Sequence, residues 1–273
     1  MIPKFNTKLV PLVDHPLAQG YSRTGLHFKS TIPTLSTALE GFERGELVAI
    51  TAPPGAGKTQ LARTICLDLV NQGVNCLYVS YELTYAQLLR MFNLAGLEGN
   101  RNKKLILSPL EHSENDITFI EEIAKQDIAV LVVDDIHSLE EKYSGVRKTD
   151  NMAVVMRGLA QRLKTLAIKN DIVVITMAHM RKDAIDSSSS SLSEIAYSGG
   201  IAQVADTVLS IKTDKKTGYA VIEITKSRWA GKKLSIRAES QNKRFVEIDD
   251  KTPDEIVNSF RLNSQKELPV SSV

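Results

Sequence analysis

The sequence predicts an α/β fold, with a mostly parallel sheet flanked by helices and antiparallel strands at the C-terminal end. Three observations predict it. From about residue 31 to residue 205, short apolar strands alternate with amphipathic helices, the texture of a sheet covered on both faces. After Ala205 the pattern turns to strand upon strand. Between them, the stretch "TAPPGAGKTQ" joins a strand to a helix through a glycine-rich turn that closes on Lys-Thr.

Residues 1–30 carry Pro3, Pro11 and Pro16 without sustained periodicity and are expected to form an arm or linker. The folded domain is expected over residues 31–250. It opens with a short helix ending near Gly41, then the buried strand "ELVAIT" runs into the Gly-rich turn. "KTQLARTICLDLVNQG" follows as a helix, with Leu61, Ile65 and Leu69 at helical spacing and Gly73 as its stop. Strand "NCLYVSYE", helix "TYAQLLRMFNLAGL", strand "KLILS", helix "ENDITFIEEIAKQ" and strand "IAVLVVDD" continue the alternation. The long helix "NMAVVMRGLAQRLKTLAIKN" and the strand "DIVVITMAH" complete it. "DTVLSIKT", "GYAVIEITKSR", "KLSIRAE" and "RFVEID" then read as an antiparallel extension at the sheet edge. Residues 251–273 hold the amphipathic piece "PDEIVNSFRL" and a polar end, expected to fray. Two stretches lack core patterning: "LEEKYSGVRKTDN" and "RKDAIDSSSSSLSEIAYSGG". Both follow strands that end on the side of the Gly-rich turn, where long loops are commonly functional.

The composition narrows the class. With 273 residues, 42% hydrophobic and 24% charged, the chain has the make-up of a globular protein. Charged residues interrupt every apolar run, so no membrane span is expected. The start "MIPKFNTKLVPLVDHP" lacks an apolar segment behind a basic end, so no secretory leader is expected. Cys66 and Cys76 have neither metal-ligand spacing nor a disulfide framework, which points to a reducing, cytoplasm-like compartment. The net charge of +2 neither requires nor excludes a nucleic-acid partner, because a ring touching a strand through loops at its centre needs only local charge.

The Gly-rich turn has the chemistry of a phosphate loop. Backbone N–H groups from Gly55 to Thr59, at a helix N-terminus, suit an anion. Pro54, Gly55, Ala56, Gly57, Lys58, Thr59 and Gln60 form the nucleotide-binding set, with Lys58 reaching the β- and γ-phosphates and the Thr59 hydroxyl ligating Mg²⁺. Ala52 stands where the G-x-x-x-x-G-K-[ST] pattern opens with Gly, a place where a methyl is tolerated in the β region. "AVLVVDD" ends an apolar strand in acid, so Asp134, with Asp135 as the alternative, is the expected metal-side carboxylate.

Glu82 ends the strand after the loop helix. It faces the γ-phosphate as a general base or, alternatively, stabilises the N-terminus of the following helix. His179 ends another core strand and is expected to contact the γ-phosphate, ahead of His137, which is placed in a loop. Lys226 and Arg228 share a strand face with no acidic partner nearby in the sequence. They read as a solvated edge or as cations for a neighbouring subunit's nucleotide.

Together these motifs resemble the RecA-like P-loop NTPase domain of hexameric replicative helicases, the DnaB, phage primase–helicase and Twinkle group. "STIPTLSTALEGFERGELVAITAPPGAGKT" resembles their entry segment and phosphate loop, and many DnaB-type loops also open with Ala. "SYELTYAQLLRM" is similar to the L-E-M-S…Q-L…R segment, which implies that Glu82 is the catalytic base. "LVVDDIHSL" resembles the strand whose acid takes the Walker B role, implying Asp134. "VVITMAHMRK" resembles the γ-phosphate sensor strand, implying His179. "ITKSRWAGKK" is similar to K-x-R-x-x-G, whose cations act on the adjacent subunit, implying that role for Lys226 and Arg228.

"AYSGGIAQVADTVLSI" is similar to S-G-S-I-E-Q-D-A-D, with Ala202 and Val204 in place of two acids. The resemblance covers about Thr31 to Ile248. It implies ATP or another NTP with Mg²⁺, a hexameric ring, and single-stranded DNA as partner, with a primase or other replication protein as a further one. The strand would be met by Lys142, Arg147, Lys148, Ser198, Gly199 and Gly200. KaiC-like and RadA-like ATPases share the loop and a K-x-R strand, so a recombination factor or an ATP-driven assembly regulator is the alternative. The family normally carries an N-terminal primase or scaffold domain before this core, and only the arm is expected here.

Overall fold

The structure is a computed structural model and describes residues 26, 29–97, 104–109, 120, 124, 127–141, 152–179, 199–213, 219–228 and 234–248. The described elements, in chain order, begin with α1 (Pro33–Leu39), β1 (Leu47–Ala52), α2 (Lys58–Asn71), β2 (Cys76–Ser80), α3 (Tyr85–Leu94) and β3 (Leu105–Pro109). They continue with β4 (Val130–Asp134), α4 (Ile136–Glu141), α5 (Met152–Asn170), β5 (Val173–His179) and α6 (Gly199–Val204). The closing strands are β6 (Thr207–Thr213), β7 (Ala220–Ser227), β8 (Leu234–Gln241) and β9 (Arg244–Glu247).

All nine described strands form one sheet in the order β3-β2-β4-β5-β1-β6-β7-β8-β9. The pairs from β3 to β6 are parallel, and those from β6 to β9 antiparallel. This corrects one expectation: "DTVLSIKT" is not part of the antiparallel extension. It runs parallel beside β1, with Val48 opposite Thr207 and Thr51 opposite Ser210, because α6 returns the chain to the start of the sheet first. The hairpin-like reversal begins only at β7.

The central strands are buried on both sides, and their side chains alternate between two cores. From β1, Val48, Ile50 and Ala52 join the layer containing Leu61, Ile65 and Leu69 of α2 and Phe92 of α3. Leu47 and Ala49 join the layer of Leu159, Leu163 and Leu166 from α5. Truncating a fully buried leucine such as Leu61 to Ala would cost roughly 2–5 kcal/mol.

The β8–β9 end of the sheet lies against α2: the Phe245 N–H donates to Thr64 Oγ1 at 3.0 Å, Arg63 donates to the Lys243 carbonyl, and Arg244 pairs with Asp68. Leu26, within the stretch expected to be an arm, is bridged to Phe42 and packs on the same core. The rest of residues 1–25 and all of 251–273 lie outside the described residues, as does most of "ENDITFIEEIAKQ", from which only buried Ile120 and Ala124 are described. Among the described residues, no helix is long and apolar enough to cross a membrane.

Candidate functional site

In a parallel sheet every strand ends at the same edge, and here register fixes what meets there. Ala52, last in β1, lies opposite His179, last in β5; Asp134, last in β4, lies opposite Ser80, last in β2. Pro54, Gly55, Ala56 and Gly57 follow β1 directly, and Lys58, Thr59 and Gln60 form the first turn of α2. The backbone explains the glycines. Gly55 and Gly57 have φ of 77° and 101°, and a Cβ on Gly57 would come within 2.7 Å of the Phe245 ring. Ala52 is buried and ends an ordinary strand, so its methyl obstructs nothing. Gly57 caps α2 without a side-chain bond to the first-turn amides, which leaves those N–H groups to an anion.

Around this loop stands a chain of polar contacts. Lys58 Nζ lies 3.1 Å from His179 Nδ1, and His179 Nε2 lies 3.2 Å from Asp135 Oδ2. The neutral tautomer with its proton on Nε2 satisfies both contacts: Nε2–H donates to the carboxylate and Nδ1 accepts from the ammonium. The His179 N–H donates to His137 Nε2 at 3.1 Å. His137, placed in a loop by its sequence, lies instead in the short helix α4 directly behind His179, where burial lowers its pKa. Burial pushes the Asp135 carboxyl up, yet hydrogen bonds from His179 and Ser138 bring it below the usual carboxylate value. Burial lowers the pKa of Lys58, while Asp135, Asp134 and Glu82 oppose that change.

Asp134 is almost fully buried. Burial first, and then Glu82 and Asp135 nearby, raise its pKa to about 6, against hydrogen bonds from Tyr78 and Thr59. Thr59 Oγ1 donates to Asp134 Oδ1 at 3.3 Å, and the Tyr78 hydroxyl donates to Asp134 Oδ2 at 2.8 Å. A hydroxyl beside a carboxylate at the mouth of a phosphate loop is the oxygen donor set that suits Mg²⁺. Among the described residues there is no cluster of three acidic, Cys or His side chains. That also fits an ion held by one or two protein oxygens together with substrate phosphates.

Glu82 is exposed at the same edge and close enough to act electrostatically on both Lys58 and Asp134. Its alternative reading, a stabiliser of the next helix, loses its purpose. Thr84 and Gln87 form a full capping box at the start of α3.

Lys226 and Arg228 are not brought to this edge. Lys226 pairs with Val208 at the start of β6, and the Arg228 N–H donates to the Asp206 carbonyl, level with Leu47. At about 3.3 Å per strand residue, Arg228 is some 15 Å from the end of β1, farther than its side chain reaches. The expectation that these cations lack an acidic partner is also corrected. Arg228 Nε lies 3.2 Å from Asp206 Oδ1, and Asp206 Oδ2 accepts from Lys164 Nζ at 2.6 Å and from the Leu47 N–H at 2.9 Å. Asp206 is distant in sequence but adjacent across the sheet, so reading along one strand could not find it. Lys226 Nζ donates to the carbonyls of Ala202 and Ala205 at 2.8 and 2.6 Å, at the C-terminal end of α6.

Of the residues expected on DNA, Gly199 and Gly200 open α6, and a Cβ on Gly200 would come within 2.6 Å of the Ala153 carbonyl, so α6 seats closely on α5. Lys142, Arg147, Lys148 and Ser198 lie outside the described residues. Beyond Asp206, sequence reading missed Tyr78. Its signal was a phenol inside the apolar run "CLYVS", since a buried tyrosine hydroxyl needs a partner.

The profile of the AAA domain family matches residues 21–184, more than half of the chain. The DnaB-like replicative helicase of Enterobacteria phage T4 is 31% identical over 116 residues, covering 40% of this chain and 24% of that protein. The DNA repair protein RadA of Campylobacter jejuni is 28% identical over 192 residues, covering 70% of this chain and 39% of that one. The chain thus spans a quarter to two fifths of the length of these relatives. Among solved structures, a helicase-type ATPase domain superposes with a TM-score of 0.65 at 15% identity, over 84% of this chain and 93% of that one. A DnaB-like replicative helicase, solved with attention to its interactions with primase, superposes with a TM-score of 0.63 at 16% identity, over 77% of this chain and 59% of that one. Both are likenesses of fold. The chain belongs to the AAA domain family, and its folded part is a DnaB-like ATPase domain with the RecA fold.

Proposed function

We propose that this chain is the motor core of a ring-forming DNA helicase that hydrolyses nucleoside triphosphate at the interfaces between its subunits. One observation carries the reading: the phosphate loop with Lys58, Asp134 and His179 ends one edge of the sheet, whereas Lys226 and Arg228 stand at the opposite edge. A chain that cannot bring its cations to its own nucleotide is suited to bring them to a neighbour's.

Within one subunit, the amides of Gly55 to Thr59 bind the triphosphate and Lys58 neutralises its β- and γ-oxygens. Thr59 and Asp134 hold Mg²⁺, which when bound offsets charge on the phosphate oxygens. Glu82 orients and deprotonates the attacking water. His179, its tautomer fixed by Asp135, exchanges its contact with Lys58 for one with the γ-phosphate and senses its departure. From the adjacent subunit, Arg228 supplies positive charge to the transferring phosphoryl group, with Lys226 beside it. The loops that contain Lys142, Arg147, Lys148 and Ser198 to Gly200 track the phosphates of a single strand.

The test is NTP hydrolysis with and without single-stranded DNA, followed by unwinding of a forked duplex. DNA should stimulate turnover, and Lys58→Ala should abolish it; hydrolysis indifferent to DNA would sink the helicase reading. A second reading has its own support: the Campylobacter RadA relative aligns with more of this chain than the phage T4 helicase does. It makes the chain a RecA/RadA-like recombination factor, which would hydrolyse NTP on DNA without opening a fork.

A further inference from the structure

The phenol of Tyr78 plays no part in the scheme above. It is fully buried on β2 among apolar side chains, where phenylalanine would fill nearly the same space without a polar atom to satisfy. Its hydroxyl reaches one acceptor, Asp134 Oδ2, at 2.8 Å. Register explains the reach. Tyr78 lies opposite Val132, so Asp134 sits two residues further along the neighbouring strand, on the same face of the sheet. The Phe92 ring meets Tyr78 edge-on, with centroids 5.2 Å apart and planes at 80°, and fixes the phenol in the layer between α2 and the sheet. The other oxygen of the carboxylate, Oδ1, accepts from Thr59.

We propose that Tyr78 is a positioning residue for the metal-side carboxylate: by holding Oδ2 it turns Oδ1 toward Thr59 and the divalent cation. This rests on the assignment of Thr59 and Asp134 to that cation. A carboxylate with one oxygen pinned cannot swivel, so its second oxygen is presented to the ion without an ordering cost at the moment of binding. The role belongs to a side chain on the strand beside the acid, not to any residue of the phosphate loop.

Tyr78→Phe removes the hydroxyl and keeps the ring against Phe92. The readout is Mn²⁺ affinity, measured by electron paramagnetic resonance on protein bound to a non-hydrolysable ATP analogue. The variant should bind Mn²⁺ about five-fold more weakly, the worth of one ordinary hydrogen bond. Its metal-free affinity for the analogue should stay within about two-fold, because the phosphate loop is untouched. In an Asp134→Asn background the same substitution should change Mn²⁺ affinity no further, since its only route is through that carboxylate.

Unchanged Mn²⁺ affinity in Tyr78→Phe overturns the proposal. So does an equal loss of metal-free nucleotide binding, or a five-fold effect that persists in the Asp134→Asn background. Thr59→Ala separates this failure from failure of the site itself. If Thr59→Ala weakens Mn²⁺ binding while Tyr78→Phe does not, the cation site stands and Tyr78 has no part in it. If wild-type protein with the analogue binds no Mn²⁺, the site assignment falls and the proposal with it.

Discussion

The two ends of the parallel sheet use the same kinds of residue in opposite ways. At the carboxyl end, Lys58 leans on an imidazole nitrogen, Asp134 is buried with a pKa raised to about 6, and Glu82 is exposed. At the amino end, Asp206 is saturated: Lys164, Arg228 and the first amide of β1 all converge on one buried carboxylate. A buried charge whose hydrogen bonds are complete holds structure together, whereas one left under-compensated waits for a ligand. The difference separates scaffold from chemistry even though both ends carry Lys, Asp and a strand terminus. It also places Arg228 on the border between them, with its backbone and Nε tied to Asp206 while half of its side chain faces solvent.

The largest expected effect tests that border. Arg228→Ala should lower DNA-stimulated hydrolysis by about 10³-fold or more, the usual worth of a finger residue. Its unfolding free energy in urea should fall by less than about 1 kcal/mol, because the ion pair it leaves is half exposed. Mixed with Glu82→Gln subunits, it should recover part of the rate, since an interface can then form with both residues intact. Mixed assemblies as inactive as either parent would contradict action across the interface.

Next in size is the scaffold end. Asp206→Ala strands the Lys164 ammonium, which is only 19% exposed, together with the Leu47 amide and Arg228. The expected loss is about 3–5 kcal/mol in urea unfolding, as for other buried pairs broken on one side. Asp206→Asn, which keeps an acceptor for Leu47, should lose less. Equal losses would mean that the charge contributes nothing and the hydrogen bond everything.

The contrast also explains what can be read from the sequence. The alternation of strand and helix, the Gly-rich loop and the acid- or His-tipped strands are local signals, so Lys58, Thr59, Asp134 and His179 are identifiable and do converge. Asp206 and Tyr78 act across strands that pairing alone brings together, and no spacing within one strand encodes that. The direction of β6 is hidden for the same reason. Its residues look like those of its antiparallel neighbours, and only the return through α6 makes it parallel.

The smallest predicted effect separates the two ends by pH. The Asp134 carboxyl has a folded pKa of about 6 against roughly 3.9 in an unfolded chain. Below pH 4 both states hold the proton. Between pH 4 and 6 the folded state keeps a proton that the unfolded state has released, so stability falls as pH rises. Above pH 6 both states are ionised and the penalty is constant, at roughly 2–3 kcal/mol. Asp134→Asn carries no such penalty. The variant should therefore gain that amount over wild type between pH 4 and pH 7, read from urea unfolding without nucleotide or metal. An offset identical at both pH values would mean that the Asp134 carboxylate is as well compensated as that of Asp206, and the contrast between the two ends would fail. Mg²⁺ with a non-hydrolysable ATP analogue should reverse the ranking at pH 7, because only the wild-type carboxylate can then place its charge against a cation.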